Sequence, residues 1–139
     1  MSMCIFLLLT SDTPLKTENL NEIAKTMALP IQFNSNIDLG THSGFLPATV
    51  NGVKQAVETL KLAFSEVALL LPANKDINPE DTVVIQFRWG GDPNEKLIAL
   101  YTAMLYTSSY DGIVFDSKLN KYLNTEQLKQ SIESLLKPA

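Results

Sequence analysis

Residues Thr82 to Ser117 read TVVIQFRWGGDPNEKLIALYTAMLYTSSYDGIVFDS: a strand, a helix and a second strand in unbroken succession. Val83, Ile85 and Phe87 alternate with Val84, Gln86 and Arg88, the period-two pattern of a strand with one drier face. Asp92-Pro93-Asn94-Glu95 then marks a helix start, with aspartate as N-cap, proline at the first helical position and a glutamate placed to reach back. From Leu97 to Leu105 the helix is apolar nearly all round, which predicts burial on every side. Gly112 to Asp116 is the next strand. If the two strands share a sheet, the crossover makes them parallel and right-handed. This unit at 82–116 sets the fold class as α/β.

N-terminal to this unit, the apolar run Met3 to Thr10 reads as a buried first strand. Leu20, Ile23, Ala24 and Met27 recur at helical spacing, and Pro30 blocks continuation, so a helix is expected over Thr17 to Ala28. Ile31 to Asn34 is a candidate short strand. Asn34 to Gly44 is rich in turn residues and reads as an exposed loop. Phe45 to Val50 is a strand, and Asn51-Gly52 suits a tight hairpin turn. The stretch from Val53 to Leu71 admits two readings: the second strand of that hairpin, or a helix, which the spacing of Val57, Leu60 and Phe64 favours. Pro72 to Glu80 is a linker. A last helix starts at Asn124 with Gln127 three residues on, carries Leu128, Ile132, Leu135 and Leu136 as its inner stripe, and closes at Pro138. The expectation is a single domain over 1–139, a mixed sheet of about five strands packed against three to four helices.

The chain has 139 residues, a size that suits one core. Fifteen acidic against eleven basic residues give a net charge of −4, without the basic excess that phosphate-backbone binding requires. Nucleic acid is therefore not an expected partner, whereas an acidic surface complements a basic protein. The run MCIFLLL is too short to cross a bilayer, has no lysine or arginine before it and no small-residue cleavage site after it, so neither a membrane nor a secretory route is expected. The single cysteine, Cys4, reads as a buried thiol in a reducing cytoplasm.

Catalytic patterns are sparse. His42 and Ser43 stand together in GTHSG, but Gly44 follows the serine directly, so the nucleophile-elbow spacing fails. One histidine and one distant cysteine offer no zinc spacing, and Gly90-Gly91 is neither a P-loop nor GxGxxG; no metal or other cofactor is expected. Ligands in open α/β sheets gather at the carboxyl ends of parallel strands, which places Arg88, Trp89, Asp92 and Asp116 near one edge as an alternative site for a small enzyme or ligand-binding domain. Asp92 is better explained as a helix cap, and Asp116 also reads as a turn residue. Arg88 and Trp89, with Tyr106 and Tyr110 after the helix, are residue types that anchor protein interfaces, or else Trp89 closes the core and the tyrosines are half-buried.

GFLPATVNG at Gly44 to Gly52, FRWGGDPNEKLIALYTAML at Phe87 to Leu105 and GIVFDS at Gly112 to Ser117 together resemble small immunity proteins encoded beside bacterial polymorphic toxins and type VI secretion effectors. The likeness covers roughly half the chain, and the chain departs from such proteins at Lys54-Gln55-Ala56-Val57. The resemblance implies a small acidic, cytoplasmic α/β domain without enzymatic activity, which binds a cognate toxin or effector and occludes its active site. His42, Phe45, Arg88, Trp89, Tyr106 and Tyr110 are the expected contact residues, and homodimerisation is an open alternative.

Overall fold

The computed structural model describes residues 3–137. Seven strands form one sheet: β1 (Met3–Thr10), β2 (Ile31–Phe33), β3 (Ser43–Val50), β4 (Val53–Ala63), β5 (Thr82–Trp89), β6 (Ile113–Asp116) and β7 (Lys121–Leu123), in the order β2-β3-β4-β5-β1-β6-β7. Four helices accompany it: α1 (Thr17–Thr26), α2 (Phe64–Val67), α3 (Pro93–Tyr110) and α4 (Thr125–Leu136). The strand-helix-strand unit at 82–116 is present as β5-α3-β6. The sheet is antiparallel at every pairing rather than mixed, because β1 lies between β5 and β6 and runs against both. The two strands of the unit are parallel to each other without touching.

β1 is the centre of the fold. Ile5 to Leu9 are all buried, and the alternation of the strand sends Ile5, Leu7 and Leu9 to one face and Phe6 and Leu8 to the other. On the first face α1, α3 and α4 pack over Ile85, Phe87, Val114, Leu46 and Val57 to make the main core. α3 is buried continuously from Leu97 to Tyr106, as its all-round apolar sequence predicts. It starts where expected, Asp92 accepting from the Asn94 N–H at 2.8 Å, although Glu95 reaches back to the Gly90 N–H at 3.4 Å and not to the cap itself. Asp111 ends it in the left-handed region at φ 55°. The second face holds a smaller core, Phe6, Leu8, Val84 and Phe115, covered by Val67 of α2 and by partly buried Phe64, Leu71 and Ile77.

The helix expected over 53–71 is instead the eleven-residue strand β4, followed by the single turn of α2 and a short 3₁₀ turn at Ala68–Leu70. Asn51 and Gly52 take φ 50° and 81°, making the tight turn that binds Val50 to Val53 and carries pairing to Ser43↔Leu60. Val57 and Leu60 thus face opposite sides of the sheet, and their helical spacing is incidental. The linker expected at 72–80 belongs to the strap over the second face, where the Tyr122 hydroxyl donates to the Pro72 carbonyl at 2.7 Å. β7, three residues long, was below what periodicity detects.

Smaller corrections have local causes. Ala28, at φ 55°, ends α1 at Thr26, ahead of Pro30. The loop 34–42 is not wholly exposed: Leu39 enters the core, held by its N–H donating to the Leu15 carbonyl at 2.9 Å. Asn124 and Gln127 form the expected reciprocal cap of α4, but of the inner stripe Leu136 is 45% exposed. Pro138 lies outside the described residues. Cys4 is only partly buried, its Sγ 3.1 Å from Ser117 Oγ.

Truncating Leu105, which is fully buried on α3, to alanine is expected to cost about 2–5 kcal/mol in urea unfolding. Leu69→Ala, at a fully exposed position on the strap, is expected to change stability by less than about 0.5 kcal/mol.

Candidate functional site

The strap covers only one end of the second face. At the other end a cross-strand row runs Phe45↔Glu58↔Arg88↔Cys4 over β3, β4, β5 and β1, all side chains on the face away from the long helices. Phe45 is 64% exposed at the end of this row. Arg88 Nη2 donates to Glu58 Oε1 at 2.8 Å, with both side chains about two-fifths exposed. Pro47 and Ala56 form the next row, partly exposed. His42 stands just before β3, and its Nε2 donates to the Phe45 carbonyl at 2.8 Å.

Three of the six expected contact residues, His42, Phe45 and Arg88, therefore lie at one open corner of the sheet. The other three do not. Trp89 follows Arg88 in the strand and so points to the opposite face, where it is 5% exposed at the rim of the main core. Among the described residues, neither its indole N–H nor Arg88 Nε, both buried, has a hydrogen-bond partner. Tyr106 is fully buried and donates its hydroxyl to the Pro14 carbonyl at 3.0 Å. Tyr110, half-buried at the end of α3, lies 5.8 Å from the Tyr106 ring, again on the helix side.

The same alternation divides the alternative site. Arg88 and Trp89 face apart, and the two carboxylates serve local structure. Asp92 caps α3 and its second oxygen accepts from Gln55 Nε2 at 2.6 Å. Asp116 accepts from the Lys118 and Leu119 N–H groups at 2.9 and 3.1 Å, forming a turn. Among the described residues no group of three or more histidine, cysteine or acidic side chains is arranged to hold a metal, and no helix is long and apolar enough to cross a membrane.

Glu58 is the site residue that sequence reasoning missed. Its signal was present: counting outward from a two-residue turn at Asn51-Gly52 puts Glu58 opposite Phe45, and only the helix reading of the stretch concealed it.

The Arg88–Glu58 pair is too exposed to carry the fold, so Arg88→Ala is expected to shift stability by less than about 1 kcal/mol in urea. Tyr106 is different. Burial, then the neighbouring Tyr110 and Asp38, raise its phenol well above the ordinary value of 10.0. The folded state then keeps a proton that the unfolded chain releases, so stability is full below the ordinary value and falls as pH climbs from there towards the raised one. Tyr106→Phe, which cannot ionise, is expected to flatten that alkaline decline while costing about 1 kcal/mol at neutral pH for the lost hydrogen bond, both read by unfolding across pH.

Comparison of the chain with protein-family models, with curated proteins and with solved structures gives no match.

Proposed function

We propose that this chain is an immunity protein: a cytoplasmic bacterial protein that binds a cognate toxin or effector of a polymorphic-toxin or type VI secretion system and occludes its active site. The observation that carries the reading is the open corner of the second sheet face. An exposed aromatic ring beside an arginine–glutamate pair, with small partly exposed side chains around them, has the make-up of an interface hot spot, in which a few anchors supply most of the binding energy. The net charge of −4 favours encounter with a basic partner, chiefly through the association rate. The resemblance of 44–52, 87–105 and 112–117 to immunity proteins gives the same class of partner.

The test is co-expression with the product of the adjacent gene. That product is expected to arrest growth alone, and this chain to restore growth and form a complex with it. An adjacent gene without toxicity, or a toxin that this chain neither binds nor neutralises, overturns the reading. Within such a complex, Phe45→Ala is expected to weaken binding at least tenfold by calorimetry, about 1.4 kcal/mol, with the melting temperature of the free protein little changed.

A further inference from the structure

β3 is paired unequally on its two sides. β4 accompanies it from Ser43 to Val50, whereas β2 reaches only Ala48 to Val50. In an antiparallel ladder each residue aims its N–H and C=O at the same neighbour, and the direction alternates along the strand. The two-residue hairpin makes Val50 and Val53 a hydrogen-bonded pair, so Gly44, Leu46 and Ala48 turn their backbone groups towards β4. Ser43, Phe45, Pro47 and Thr49 turn theirs outward. The Asn34 N–H donating to the Pro47 carbonyl at 3.5 Å obeys this alternation.

Beyond Asn34 the chain leaves the sheet, drawn to the start of α1. The Thr17 N–H donates to the Ile37 carbonyl at 2.8 Å, and its hydroxyl donates to the Ser35 carbonyl and accepts from the Ile37 N–H. The line that β2 would have continued is left open beside Ser43 and Phe45, both exposed. The N–H groups of Ser43 and Phe45 have no backbone partner among the described residues, and the Phe45 carbonyl is met only by His42. Further along this edge less is on offer: Asn21 accepts from the Phe33 N–H at 2.7 Å and donates to its carbonyl at 3.0 Å, and Pro47 has no N–H to offer.

We propose that the gap at Ser43–Phe45 receives an extended segment of the partner protein, which adds a strand to β3 in line with β2. Only another extended backbone presents donors and acceptors at the spacing of this edge, and an apolar side chain of the added strand has the exposed Phe45 ring to pack on. His42 is the latch: it occupies the Phe45 carbonyl until the incoming N–H replaces it. The proposal rests on the reading of this chain as a binder of a protein partner, and supplies the mode of that binding.

The test uses random linear heptapeptides displayed on phage and selected on the immobilised full-length chain. Selected peptides are expected to slow hydrogen exchange at the Phe45 amide at least tenfold. Methylating alternate backbone nitrogens of the peptide, or Ser43→Pro in the protein, is expected to weaken binding about tenfold, the loss of one or two backbone hydrogen bonds. Peptide methylation leaves the protein intact, so it decides the matter even if the proline variant does not fold. No selected peptide, indifference to methylation, or protection only at other amides overturns the proposal. So does a dimer by light scattering whose Phe45 amide is protected without peptide, since the occupant is then a second copy. Because no toxin enters this experiment, strand addition without neutralisation of the adjacent gene's product would sink the immunity reading alone.

Discussion

Burial of β1 on both faces is the constraint from which the rest of the molecule follows. A strand with five consecutive buried residues, paired on both edges, needs apolar cover above and below. α3 supplies the first cover by crossing from β5 over β1 to β6, and α1 and α4 extend it. The strap through α2 supplies the second, but it is short, with four helical residues and a 3₁₀ turn against the eighteen residues of α3. It therefore reaches only the end of the sheet around Leu8, Val84 and Phe115. What it leaves open is the outer end of the row, with Phe45 exposed and Glu58 and Arg88 partly so.

That inequality of cover explains why a sheet built for stability also keeps an open corner. On the helix face the apolar positions are enclosed and Trp89, Tyr101 and Tyr106 have become core. On the strap face the alternation is still strand-like, but its outer positions hold Phe45, Glu58 and Arg88, the last two paired with each other and partly exposed. The edge follows the same logic. Thr17 draws the 34–42 loop towards α1, which places Leu39 in the core and simultaneously strips β3 of a neighbour at Ser43–Phe45. One hydrogen-bonding residue on α1 thereby shapes a gap at the margin of the sheet.

Much of this was legible in the chain. The Asp92-Pro93 helix start, the Asn124 and Gln127 cap and the hairpin turn at Asn51-Gly52 are local signals, set by geometry within a few residues, and the runs of β1 and β5 show in their apolar pattern. The failure at β4 is equally physical. Its residues are half-buried on both sides, so apolar positions occur at odd and even places and the period-two signal is blurred. The candidate site was half legible: Arg88 and Phe45 stood out by residue type, but Tyr106 and Trp89 did so as well, and residue type does not report which face is covered.

The sequence by itself determined the runs of β1 and β5, the helices α3 and α4 and the tight turn at Asn51-Gly52, because these depend on pattern and backbone geometry over a few residues. The tertiary structure decided that β1 lies between β5 and β6, that the sheet is antiparallel throughout, and that Glu58 stands between Phe45 and Arg88. Periodicity tells a strand which of its sides is dry. It does not name the neighbour, since pairing between distant strands is settled by the burial of the whole sheet and not by any one segment.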